Sequence, residues 1–207
     1  EGADMDSYYL VRWAGVDPAT GMPMWYDLNG NITFIYSDSN RVVDKSPNPF
    51  ASGGMTNNFR WKNFSLRVQL NYTLGGYALS SNANYVMSDG YNIMDQNVSV
   101  NALDRWQKPG DLAVNPIFTT KSTKSSMYST RHLYSKTHFK LQNISLSYRV
   151  PSKVCDKLKI RNANVSLICD NVYLWTPDQK RNLNSYKTYM SGYPMENIYS
   201  LSLDVTF

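Results

Sequence analysis

The sequence predicts an all-β chain. About five to six strands are expected to form the C-terminal part of a large antiparallel transmembrane β-barrel with long extracellular loops. Three observations carry this. A two-residue period recurs through the chain while the helical period is nearly absent. The clearest alternating run reaches eleven residues, where an ordinary strand has about five or six. The connections alternate between short and long, which is the habit of outer-membrane barrels.

Residues 1–53 are polar and read as an extracellular loop region. Their GVDPATG stretch (Gly15 to Gly21) holds a single carboxylate, too few for a calcium loop, so it reads as a turn, as do DSN and DLNG. Residues 54–207 read as barrel strands. The first, about 54–61, puts Met55, Phe59 and Trp61 on one face. Lys62 and Asn63 then make a tight hairpin turn. The second, about 64–77, alternates without error, with Phe64, Leu66, Val68, Leu70, Tyr72 and Leu74 on one face. Ser65, Arg67, Gln69, Asn71 and Thr73 occupy the other. An extracellular loop spans 78–135.

The third strand, about 136–149, changes phase at Gln142–Asn143, the mark of a β-bulge. A short basic helical turn follows Pro151. The fourth strand, about 161–175, becomes irregular near Asp170–Asn171. A second extracellular loop spans 176–193. The last strand, about 194–207, puts Tyr199, Leu201, Leu203, Val205 and Phe207 on one face, and it is expected to run down to the periplasm and pair with the first strand of the barrel. Five strands do not close a membrane barrel, whose smallest forms use about eight, so a larger barrel or a split one is expected.

Composition fits this reading. Hydrophobic residues make up 42% of the chain, and no run approaches a membrane helix. Tyr occurs 16 times, more than the seven Phe and five Trp together; Tyr and Trp favour membrane interfaces. Tyr72, Tyr77, Tyr148, Trp175 and Tyr199 are candidates for aromatic belts. The net charge is +5 with the cations spread out, which argues against a nucleic-acid partner. One group, Lys153, Lys157, Lys159 and Arg161, gathers in the basic helical turn.

No catalytic constellation accompanies His132 and His138, so no enzyme, cofactor or metal site is predicted. Cys155 in the turn and Cys169 in the following strand stand too far apart for a disulfide, so both are expected to be free.

Several motifs resemble the SusC/RagA group of TonB-dependent outer-membrane transporters of Bacteroidetes. They are RWAGVDPATGMPMWYDLNG (Arg12 to Gly30), LDRWQKPGD (Leu103 to Asp111), LQNISLSYRVP (Leu141 to Pro151) and DNVYLW (Asp170 to Trp175). The final Phe207 resembles the signal read by barrel-insertion machinery. The resemblance implies a 22-stranded barrel of the bacterial outer membrane. Its implied partners are the remaining strands and plug, TonB acting through that plug, a SusD-like lid lipoprotein, and membrane lipid or lipopolysaccharide. It implies import of oligosaccharide or peptide. Arg67, Gln69 and Asn71 would then face the lumen, and Trp106 the vestibule, as candidate ligand contacts. For each, internal packing or contact with the plug is the competing explanation. The competing function is a secreted soluble β-sandwich that binds glycans through Tyr and Trp.

Overall fold

The computed structural model describes residues 2–80, 83–177 and 196–207. In chain order the strands are β1 (Tyr9–Val11), β2 (Trp13–Val16), β3 (Pro23–Tyr26), β4 (Ile32–Thr33), β5 (Arg41–Val43) and β6 (Pro49–Trp61). Then come β7 (Phe64–Gly75), β8 (Tyr77–Leu79), β9 (Leu133–Ser135), β10 (His138–Arg149), β11 (Asn162–Trp175) and β12 (Ile198–Thr206). Two short helices, α1 (Ala83–Val86) and α2 (Ser152–Lys157), interrupt them. Among the described residues no helix is long and apolar enough to cross a membrane, which leaves strands free to do so. The loop expected at 176–193 lies outside the described residues, Thr176 and Pro177 excepted.

Two compact units divide the chain. One is a single antiparallel sheet ordered β12-β11-β10-β7-β6. β7, β10 and β11 start within two residues of where the sequence reading starts them, β12 runs from Ile198 with residues 194 and 195 of its expected start outside the described residues, and β6 differs. β6 begins at Pro49, five residues before the sequence reading starts it. Ser52-Gly53-Gly54 looks like a loop signal, yet both glycines lie inside the strand. A Cβ on Gly53 would meet the Tyr72 hydroxyl at 2.8 Å, and one on Gly54 would meet Asn71 Oδ1 at 2.8 Å. The glycines are there because neighbouring side chains cross the strand.

Lys62 opens the β6–β7 turn at φ 50°. Asn63 fastens that turn to the end of β10: its Nδ2 donates to the Arg149 carbonyl at 2.7 Å, and the Arg149 N–H donates to the Asn63 carbonyl at 2.9 Å. The phase change in β10 is a bulge. Leu141 pairs with Leu70 and Asn143 with Gln69, so Gln142 has no partner on β7. On the other side Leu141 pairs with Tyr173 and Asn143 with Asp170, so two residues of β11 stand opposite Gln142. One of them, Asn171, takes φ 54°, a conformation Asn tolerates. Its Nδ2 donates to the Glu196 carbonyl at 3.0 Å.

The other unit draws on residues 2–49, 75–80 and 83–136. It holds the pairs β1–β5 and β8–β9 and the three-stranded sheet β2-β3-β4. Its core is aromatic: Trp25 meets Trp13 edge-on at 5.7 Å and Tyr36 at 5.6 Å, beside the buried Val11. PMWY buries Pro23 and Trp25 in alternation and YLV buries both Leu10 and Val11, although the segment as a whole reads as polar loop. The turns expected there are present. The Asp17 carboxylate accepts from Ala19 and Thr20 N–H groups, and Asp27 from those of Asn29 and Asn31.

Candidate functional site

The sheet has two faces of opposite character, and strand register builds both. On one face the side chains fall into five rows across the strands. Phe64, Tyr148, Val165 and Leu203 form the first; Leu66, Leu146, Leu167 and Leu201 the second. Val68, Ile144, Cys169 and Tyr199 form the third, then Leu70, Leu141 and Tyr173, then Tyr72, Phe139 and Trp175. The bulge keeps Phe139 and Leu141 in these rows despite the extra residue.

This face is not a core. Leu201 is 77% exposed and Trp61 67%. From the first row to the fifth is eight residues, about 26 Å along the strand. Tilted at about 40° this gives about 20 Å of height, comparable to the apolar band of about 25 Å in outer-membrane barrels.

Aromatic rings mark both ends of the band. Trp61 stacks on Phe64 at 6.4 Å, and Phe64 contacts Tyr148 at 4.7 Å. At the far end Tyr72 stacks on Phe139 at 6.4 Å, and Phe139 meets Trp175 at 5.7 Å. Tyr72, Tyr148 and Trp175 thus occupy end rows. Tyr199 instead sits in the middle row, and Tyr77 belongs to the other unit, with Lys45 Nζ 5.3 Å above its ring. Cys169 faces the apolar side, while Cys155 is buried in α2 and gives its thiol to the Val150 carbonyl at 3.7 Å; both are free thiols.

The opposite face is polar. Ser65, Ser147, Ser166 and Ser202 form one row across four strands, with 2.8 Å between the Ser147 and Ser166 hydroxyl oxygens. Arg67 pairs with Ser145, Gln69 with Asn143 and Asn71 with Lys140. Asn143 donates to the Asp170 carboxylate at 2.8 Å. Arg67, Gln69 and Asn71 are therefore one file of donors and acceptors on one strand, supported by polar neighbours on the next.

Trp106 belongs to the other unit and is buried at 8% exposure. Its Nε1–H donates to the Pro18 carbonyl at 2.9 Å. Its ring covers Gly21, where a Cβ would lie 2.5 Å from ring carbons. The Asp111 carboxylate caps the adjoining turn by accepting from the Gln107 and Lys108 N–H groups. The indole thus joins the RWAGVDPATG and LDRWQKPGD stretches and is spent on packing.

Behind it lies a buried ion pair that sequence reading missed. Arg131 donates to both Asp89 oxygens, at 2.6 and 2.9 Å, and to Asn115 Oδ1 at 3.0 Å. Its guanidinium lies 5.0 Å from the Trp13 ring centre. Asn115 in turn donates to the Asn101 and Asp104 carbonyls. Asp89 and Arg131 are 42 residues apart in sequence, and no local pattern links them. A cavity of about 720 Å³ opens beside this network, with Trp13, Leu103, Val114 and His132 among its lining residues. His132 is buried, and among the described residues its Nε2 has no hydrogen-bond partner. Burial first, and then the Arg131 charge, push its pKa down to about 3, so the imidazole is neutral. Among the described residues no three acidic, His or Cys side chains gather as a metal site would require.

No family model matches the chain. It is 21% identical over 236 residues to TonB-dependent receptor P3 of Formosa agariphila, covering all of this chain and 22% of that protein. Among solved structures, the RagAB peptide transporter superposes with a TM-score of 0.77 at 24% identity, over 97% of this chain and 23% of that one. The RagAB peptide importer in its closed-closed state gives a TM-score of 0.77 at 25% identity. The chain spans under a quarter of the length of these relatives. In sequence and in fold it is similar, along its whole length, to a segment of a SusC/RagA-like TonB-dependent transporter.

Proposed function

We propose that this chain supplies part of the wall and the external loops of an outer-membrane nutrient importer energised through TonB. The observation that carries the proposal is the two-faced sheet: an apolar band with aromatic ends on one side and a polar file on the other, with the outer edges of β12 and β6 unpaired among the described residues. A soluble sandwich would bury that band against a second sheet. In this reading β12 meets a further strand of the same barrel. The short turns after β6 and β10 face the periplasm. Residues 1–53, 78–135 and 176–193 belong outside, under a SusD-like lipoprotein. Arg67, Gln69 and Asn71 face the lumen, toward plug or cargo. Trp106 enters as the anchor of the external loops. The RagAB likeness favours peptide over oligosaccharide as cargo.

The test is the native mass of the detergent-extracted complex, followed by the masses of its denatured components. The expected result is a membrane complex in which these residues accompany a plug and the remaining strands. A 23.7 kDa monomer that stays soluble without detergent would overturn the reading and favour the glycan-binding sandwich.

A further inference from the structure

The turn end of the sheet carries a charge pattern that wall-building does not require. Residues 149–162 contain five cations, Arg149, Lys153, Lys157, Lys159 and Arg161, against one carboxylate, Asp156. The neighbouring hairpin adds Arg60 near the end of β6 and Lys62 in the turn, and the side-chain and backbone bonds between Asn63 and Arg149 hold the two turns together. The next carboxylate, Asp204, pairs in register with Asn164 on the polar face of the sheet. Except for Arg149, which donates to Asn162 at 3.2 Å, none of these cations is bound to another side chain by a hydrogen bond or salt bridge among the described residues.

α2 is the centre of the cluster. It buries Cys155, while Val154 within it and Leu158 at its C-terminal cap are 44% and 62% exposed. These two lie four residues apart on one helical face, flanked by Lys153, Lys157 and Lys159. The first aromatic row, with Trp61, Phe64 and Tyr148, lies at the same end. Lys62 Nζ rests 4.9 Å from the Trp61 ring centre. An apolar pair ringed by lysines, one step beyond an aromatic belt, is the arrangement of an interfacial segment that dips into headgroups.

We propose that this end of the sheet is a docking surface for anionic phospholipid headgroups. The lysines of α2 and the Lys62 turn would meet the phosphates, with Val154 and Leu158 seated at the acyl boundary. The occupant follows from charge complementarity, since the two turns themselves hold five cations, Lys62, Lys153, Lys157, Lys159 and Arg161, against one carboxylate, Asp156, and so select a negative surface. The proposal rests on the membrane reading above and adds a lipid preference to it.

The test uses the membrane-extracted protein that carries this segment. It is reconstituted in phosphatidylethanolamine nanodiscs with and without phosphatidylglycerol, and retained lipid is read by native mass spectrometry. The expected result is phosphatidylglycerol enriched over its bulk ratio. Each lysine lost should reduce that enrichment by up to about five-fold, given a juxtamembrane cation's usual attraction to an anionic surface. The triple variant K153Q/K157Q/K159Q should therefore lose most of it. The triple arginine variant should keep it, and high salt should remove it by screening. Enrichment that survives the glutamine variant, or insertion with bulk-ratio lipid, would overturn the proposal. Failure to enter a bilayer at all would instead overturn the membrane reading, so the two failures are distinguishable.

Discussion

Gly21 sits at φ 72° with the Trp106 ring where a side chain would begin. Two separate costs meet there. Any Cβ carries the left-handed penalty, and this one also overlaps an indole that cannot retreat without losing its bond to Pro18. Gly21→Ala should therefore destabilise the loop unit by roughly 2–4 kcal/mol. In a Trp106→Ala background only the conformational part should persist, so the double mutant should be clearly less than additive. Protease protection of residues 107–112 in the membrane-held protein measures this, and strict additivity would show that the ring and the glycine do not interact. The motif strings placed Gly21 in a turn and Trp106 in a long loop without revealing that they touch. Their partners stand more than eighty residues apart, a relation that turn chemistry cannot express.

Strands were the most legible elements, because alternation is a local property and the sheet obeys it. The bulge at Gln142, the basic turn at α2 and the hairpin at Lys62 all follow from patterns in the string. What failed was the start of β6, where glycines marked close approach rather than a loop. The small strands of residues 1–49 were also missed, since two to four residues carry too little periodicity to register. The faces of the long strands make opposite demands. Leu201→Asp should cost on the order of 1–2 kcal/mol, less than the roughly 2–4 kcal/mol of a lipid-facing Arg or Lys at the bilayer midplane, because a carboxylate costs less there and this row is the second of five. Ser202→Asp, one residue on, should cost far less because it falls in the polar serine row. Urea titrations of the two variants in lipid vesicles compare them directly. Equal losses would mean that the faces have been assigned to the wrong solvents.

At the scale of the whole chain, the two units answer to different chemistry. The sheet depends on what lies against its apolar face; the loop unit depends on a buried aromatic core, an ion pair and a neutral histidine. That makes acid selective. The folded pKa of His132 is about 3, below its ordinary 6.5, so the unfolded loop unit binds a proton that the folded one refuses. Its contribution is complete above pH 6.5 and is lost as pH falls toward 3, at up to about 1.4 kcal/mol per pH unit. The carboxyls of Asp17, held low first by the Thr20 side chain, and Asp27, held low first by the Asn31 N–H, act only below their ordinary 3.8. Between pH 6.5 and 4.5 the loop unit should thus loosen through His132, measured as hydrogen exchange at β8 and β9 corrected for intrinsic rates. His132→Gln should flatten that slope, and an unchanged slope would place the acid response elsewhere.

The residue count across the bulge has one more implication. Between the paired positions β7 carries no extra residue, β10 carries one and β11 carries two. Backbone is thus added as a gusset is let into cloth, widening strand by strand at about 3.3 Å per residue. Cloth treated this way no longer lies flat. The curvature of this wall is therefore cut into its length rather than pressed on it from outside, and the sheet carries its bend wherever its edges are joined.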